Sequence, residues 1–423
     1  MKRFVYGAIC LVLILTYTMF PTAFAEEIIP EIDGQSAIMI DMQNSMILYE
    51  KNPDAVIQPS GFTKIVSALV VLENCQNLGQ VVTAPAETIA ECDFTYGNMG
   101  VLGGEELSIA ALLEGMLIYD AAEAAEVLAG YTFGDYNKFI DAMNEIATKA
   151  GATNTHFKNA GGYYDAEQRT TVTDIVRIAN YAMNNPSFAE IVKKDVLEIP
   201  PSNKYRQKRY LSNTNMFVGR ARSVDFYTEK AFGVKTSYMK DHGYGICLAF
   251  ENSKGKFLCV VANGTNADTA HTDAEKLRQY ASSGFTSVKI ASKGDIIEEV
   301  SVPNGKISHV LIKTEKELSI RVPLGYNSED ITTTTNKPDT LNAPIAKDAV
   351  LGTMDVFYKG ELVGSVNLVA DDNVERSSGK SVRIFINKIV TSPFFYIPVG
   401  AIVLFIAYTV LKTFLAYKRR DKK

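Results

Sequence analysis

In the stretch Gln58-Pro59-Ser60-Gly61-Phe62-Thr63-Lys64-Ile65-Val66-Ser67-Ala68-Leu69, and on to Leu72, the apolar residues Ile65, Leu69 and Leu72 recur at helical spacing with no breaker after Thr63. A mostly buried helix is therefore expected from about Thr63, with Lys64 near its start. A lysine in that position needs an acidic partner, because burying an unpaired ammonium is costly.

Upstream, Ser36 to Met42 and Met46 to Lys51 are short apolar-rich stretches separated by Gln43-Asn44-Ser45, the pattern of an opening hairpin. Downstream, Leu107 to Ile118, Ala121 to Ala129 and Asp135 to Ala150 have the periodicity of core helices, and Gly151 is placed to end the last of them. From Ala231 to Val261 the chain turns strand-like, and a helix is expected around Thr272 to Ser282. Beyond Lys293 short β-branched segments such as Val310-Leu311-Ile312 and Leu318-Ser319-Ile320-Arg321-Val322 alternate with polar connections.

Both ends carry membrane signals. Lys2 and Arg3, the apolar run from Phe4 to about Phe20, and Ala23-Phe24-Ala25 read as a secretory signal cleaved before Glu26. Phe394 to Leu411 is eighteen residues without a charge, followed by Lys418, Arg419, Arg420, Lys422 and Lys423. The positive-inside rule then places the tail in the cytoplasm and the preceding domains outside the membrane. The expected organisation is a signal peptide (1–25), a first domain (26–292), a β-rich domain (293–378), a linker (379–393), a transmembrane helix (394–417) and a basic tail (418–423).

The net charge of -5, from 43 basic and 48 acidic residues with no basic stripe, gives no electrostatic case for nucleic acid. His156, His242, His271 and His309 lack ligand spacing, so neither a metal nor another cofactor is expected. Cys247 and Cys259 flank the turn Asn252-Ser253-Lys254-Gly255; they either face each other across it or stand as two buried free thiols.

Three segments in order carry a resemblance. Pro59, Thr63, Lys64 and Ala68-Leu69 are similar to the signature Pro-Ala-Ser-x-Thr-Lys-x-x-x-Ala-Leu of the D-alanyl-D-alanine carboxypeptidases, the low-molecular-weight penicillin-binding proteins. The segment Leu112 to Ala125 resembles the family's second-motif region, and Gly151-Ala152-Thr153-Asn154-Thr155-His156-Phe157-Lys158-Asn159 its Gly-x-x-x-Thr-x-Phe-x-Asn stretch, with Thr171 and Asp174 fitting the helix that follows. Gly233-Val234-Lys235-Thr236-Ser237 looks like the third motif, Lys-Thr-Gly, with serine for the last glycine. The likeness runs from about residue 28 to 375. It implies a penicillin-recognising α/β domain, a helical cluster on an antiparallel sheet, followed by a small all-β domain.

The same likeness implies what is missing. In such enzymes a serine at a helix N-terminus gives its proton to a lysine one turn on, and nearby N–H groups stabilise the oxyanion. Gly61 stands at the nucleophile position, and Asp120, Ala121 and Ala122 replace Ser-Gly-Asn of the second motif. No intact catalytic set remains. Lys64, Asp120, Lys235, Thr236 and Ser237 are the residues expected to shape a ligand site. Asp120 is also the acidic partner on offer for Lys64, and a carboxylate beside an amine favours its charged form, whereas the family needs a neutral base.

Ser60 lies four residues before Lys64, so on a continuous helix the two would be neighbours and a displaced nucleophile is conceivable. A shift of one helical position nevertheless turns a side chain by about 100°. The expectation is a cell-wall protein that has lost catalysis and binds peptidoglycan stem peptides or a cell-wall enzyme. The alternatives are an active serine carboxypeptidase using Ser60 and a purely structural membrane-tethered partner.

Overall fold

The computed structural model describes residues 29–379, 382 and 392–420. The signal segment and the last basic residues lie outside them. The chain forms two compact units, the first up to Thr286 together with Val322–Tyr326, the second comprising Ser287–Arg321 and the chain from Asn327.

The first unit is built on a five-stranded antiparallel sheet. Its strands are β1 (Ser36–Asp41), β2 (Ile47–Lys51), β7 (Ala231–Met239), β8 (Gly243–Asn252) and β9 (Gly255–Gly264), in the order β2-β1-β9-β8-β7. Two short ribbons, β3 (Val81–Thr83) with β4 (Glu106–Ser108) and β5 (Val196–Ile199) with β6 (Arg209–Ser212), lie outside this sheet. Central strands β8 and β9 are apolar on both faces, as residues 246–250 and 257–261 are all buried.

The helix read from the 58–69 stretch is α1 (Thr63–Asn74), entered through a 3-10 turn at Ser60–Phe62. Every residue from Thr63 to Val71 is buried, which places α1 at the centre of the core rather than on its surface. Around it stand α2 (Ala86–Glu91), α3 (Ile109–Ile118), α4 (Ala122–Phe133), α5 (Tyr136–Lys149), α6 (Val172–Met183) and α7 (Pro186–Val192), while α8 (Ala267–Ser283) packs on β8 and β9. Their starts follow from local chemistry. Ser108, Asp135, Thr171 and Asn266 each cap a helix by accepting a backbone N–H, and Gly134, at φ +64°, ends α4.

The register of β8 on β9 closes the question left open by the cysteines. Cys247 pairs with Val260 and Cys259 with Leu248, so the two thiols belong to opposite faces of the sheet and do not meet. Both are free and buried.

The second unit contains most of β10 (Phe285–Ala291) and of β13 (Leu318–Pro323), together with β11 (Ile296–Ser301), β12 (His309–Thr314), β14 (Ile331–Asn336), β15 (Val350–Tyr358) and β16 (Glu361–Ala370). Five of them form an antiparallel sheet in the order β11-β12-β16-β15-β14. The last described helix, α9 (Pro393–Arg420), holds the apolar stretch Tyr396–Thr413 with a mean hydropathy of 1.7, long enough to cross a membrane.

Candidate functional site

Three elements meet at Gly61: the entry to α1, the α3–α4 turn and strand β7. The α3–α4 turn is tight. The N–H groups of Tyr119 and Ala121 both donate to Gly115 O, and Asp120 takes φ +68°, a left-handed conformation that aspartate tolerates better than most residues. This turn delivers Asp120 to two lysines at once.

Asp120 Oδ1 lies 3.0 Å from Lys64 Nζ and 2.7 Å from Lys235 Nζ. Both lysines are buried, at 2 % and 1 % exposure, so a single carboxylate serves two ammonium groups away from water. The attraction between the one carboxylate and the two ammonium groups holds the cluster. Burial works against the Asp120 carboxylate, but Lys235 and then Lys64 outweigh it and hold the carboxyl below the usual range. Burial draws the Lys235 ammonium down to about 8, Asp120 opposing and Lys64 reinforcing the shift.

That shift makes a pH prediction. Lys235 is depressed from 10.5 to about 8, so between those values the folded protein binds fewer protons than the unfolded chain, and stability contributed through this group rises with pH. Wild type is expected to gain about 3 kcal/mol relative to Lys235→Met between pH 8 and 10.5. Paired denaturant titrations across that window check it, and a constant difference would contradict the buried, shared ammonium.

At residue 61 space itself is absent. A Cβ on Gly61 would lie 2.8 Å from Ser237 Cα, 2.8 Å from Thr236 O and 3.1 Å from Asp120 Oδ1. Two of these atoms are backbone of β7, which cannot rotate away. The strand is drawn in by hydrogen bonds: Gly61 N–H donates to Ser237 Oγ at 3.0 Å, and Ser60 Oγ donates to Tyr238 O at 2.8 Å.

Ser60 departs from the helical geometry that would make it a neighbour of Lys64. It takes φ +48° in the 3-10 turn, ahead of α1, and its hydroxyl is spent on β7. Being left-handed there, it cannot follow the i,i+4 rule.

Beside this closed point lies a cavity of about 350 Å³ whose walls include Asp120, Thr214, Arg222, Thr236, Ser237 and His271. Of the five residues expected to shape a ligand site, Asp120, Thr236 and Ser237 reach this cavity, whereas Lys64 and Lys235 are not among its lining residues. The hydroxyls of Thr214 and Thr236 meet at 2.5 Å. His271 is buried, its Nδ1 2.7 Å from Ala267 O, while its Nε2 accepts the Met216 N–H at 3.1 Å. Burial lowers its pKa, which keeps the ring neutral and both nitrogens occupied.

Sequence reasoning missed two glutamates of α4, of which Glu123 supports this wall. Glu123 Oε1 accepts the N–H groups of Met99, Gly100 and Val101 at 2.7, 3.0 and 3.3 Å, fixing the loop whose Gly97 and Asn98 line the cavity. Glu126 Oε1 accepts the Gly161 N–H at 2.8 Å. A buried glutamate in an otherwise apolar helix was the available signal, since such a group must find donors.

A helical cluster on an antiparallel sheet, with a lysine at the start of the central helix facing a lysine on the edge strand, defines the penicillin-recognising serine peptidase class. The chain belongs to the D-alanyl-D-alanine carboxypeptidase family, whose description it matches over residues 22–266, and residues 285–376 match the C-terminal domain of penicillin-binding protein 5. It is 24% identical over 393 residues to the D-alanyl-D-alanine carboxypeptidase DacF of Bacillus subtilis, covering 89% of this chain and 96% of that one. It is 25% identical over 367 residues to DacC of Escherichia coli, covering 84% and 88%. Its fold is similar to that of penicillin binding protein 5 from Haemophilus influenzae, at a TM-score of 0.66 and 21% identity over 82% of this chain and 99% of that one.

Proposed function

We propose that this chain is a non-catalytic member of its family, tethered to the membrane by α9, whose cavity binds peptidoglycan stem peptides. The observation that carries this reading is the occupied nucleophile position. With β7 backbone 2.8 Å from where a Cβ at residue 61 would lie, there is neither a hydroxyl nor room for one, and acyl transfer through a serine at that position has no covalent route. Lys64, ion-paired to Asp120 at 3.0 Å, supports the same reading, because a general base must be free to take a proton. Ser60 supports it too, with its hydroxyl given to a backbone carbonyl.

The binding half of the proposal rests on the cavity. Thr214, Thr236 and Ser237 offer hydroxyls and Arg222 a guanidinium, the donors that a peptide with a terminal carboxylate requires. A cleaved signal at residues 1–25 and a cytoplasmic tail from residue 418 complete the topology. The apolar stretch Tyr396–Thr413 and the basic residues after it support that arrangement.

The test is intact-protein mass spectrometry of the full chain in detergent after incubation with excess benzylpenicillin. The mass is expected to be unchanged. An adduct of one antibiotic mapped to Ser60 would revive the enzyme reading, since acylation is the easier half of this chemistry to retain. In parallel, a pentapeptide ending in D-Ala-D-Ala is expected to bind, and Thr236→Val to weaken it about tenfold, the loss of one hydrogen bond to a charged group. Failure of the peptide to bind would leave a cell-wall enzyme or a structural role as the function.

A further inference from the structure

Tyr238 also lines a second groove of about 630 Å³, within the size range of ligand sites. We infer that it binds a saccharide, the glycan portion of the polymer whose peptide enters the neighbouring cavity; this rests on the stem-peptide reading of that cavity. Rings form its walls. Tyr164 stacks on His242 with centroids 5.7 Å apart and planes at 21°, so each ring steadies the other, and Tyr164 is 58% exposed. Tyr238 leans on Tyr244 at 4.4 Å and is 39% exposed. The Tyr164 segment is held in place: Tyr96 packs edge-on against Tyr163 at 5.0 Å, and its hydroxyl accepts the Tyr164 N–H at 3.1 Å.

The polar groups select among ligands. Asp93 and Asp241 line the groove together with Lys240. Two carboxylates against one ammonium disfavour an anion, and the charged rim disfavours a purely apolar segment. A neutral ligand with one apolar face and a rim of hydroxyls meets both conditions, since its C–H face covers a ring and its hydroxyls pair with carboxylate and ammonium. A sugar is that ligand. Continuity gives its source: Tyr238 lines both the groove and the peptide cavity, and in peptidoglycan the stem peptide is joined at its amino end to a sugar.

The experiment is calorimetric titration of the full chain, in a detergent without a sugar headgroup, with chitotetraose and separately with a sugar-free stem pentapeptide. Chitotetraose is expected to bind, and both Tyr164→Ala and His242→Ala to weaken it about tenfold or more, equivalent to about 1.4 kcal/mol. Thr236→Val is expected to leave sugar binding intact. Tyr164 is exposed and its hydrogen bond here is made by its backbone, so the variant keeps the fold. No heat from chitotetraose, or binding indifferent to both ring variants, would overturn the assignment. So would a diaminopimelate-containing peptide that Tyr164→Ala weakens while chitotetraose fails to bind, which would make the groove a cation site. Sugar binding without peptide binding would remove the peptide reading and leave the saccharide site standing.

Discussion

Asp120→Ala is expected to cost the first unit about 3–5 kcal/mol at neutral pH, the range for removing one partner from a buried ion pair. The effect is large because the carboxylate lies within 3.0 Å of Lys64 Nζ and 2.7 Å of Lys235 Nζ, and both ammonium groups would be left facing each other without it. Hydrogen exchange of amides in α1, read by mass spectrometry on the full chain, reports on the helix that carries Lys64. Exchange there is expected to accelerate in Asp120→Ala and to recover in a variant that also carries Lys64→Met and Lys235→Met, because apolar replacements of the whole set leave no charge to solvate. Unchanged protection in the single variant would show that the cluster contributes nothing to the core.

The same group sets an acid limit. Asp120 is held below the usual carboxylate range, so its contribution is fully present above the unfolded value, near 4, and is lost as pH falls through the folded one. Wild type and Asp120→Ala are therefore expected to converge in stability in strong acid.

Gly61→Ser, which puts a serine at the proposed nucleophile position, is expected to destabilise by about 1–3 kcal/mol, as overpacking does in a rigid site, and to yield no acyl adduct. The clash is with backbone, 2.8 Å from both Ser237 Cα and Thr236 O, so no side-chain rotation relieves it. Even a serine accommodated there would face Lys64 paired to Asp120. Labelling with a fluorescent β-lactam, alongside a thermal melt, checks both parts. Stoichiometric labelling of a variant as stable as wild type would mean that β7 stands clear of residue 61 in solution.

These outcomes separate what is local from what is not. Helical spacing of Ile65, Leu69 and Leu72, the apolar stretches either side of Gln43-Asn44-Ser45, and the ordered motifs around Lys64 and Lys235 were enough to place α1, the opening hairpin and the family, because periodicity and short motifs are properties of neighbouring residues. The pairing of Lys64 with Asp120 was readable because a buried lysine needs an acid and the motif order offered one.

What the sequence alone determined, then, is the fold and the family. The tertiary structure decided the rest. Ser60 and Tyr238 are 178 positions apart, yet a hydrogen bond between them fixes where that hydroxyl points. The second lysine on Asp120, the β7 backbone that crowds residue 61 and the opposed faces of Cys247 and Cys259 are set by sheet register and packing. So is the groove that collects residues from Asp93 to His242. None of these leaves a local trace, since each depends on which distant strands and turns the core brings together.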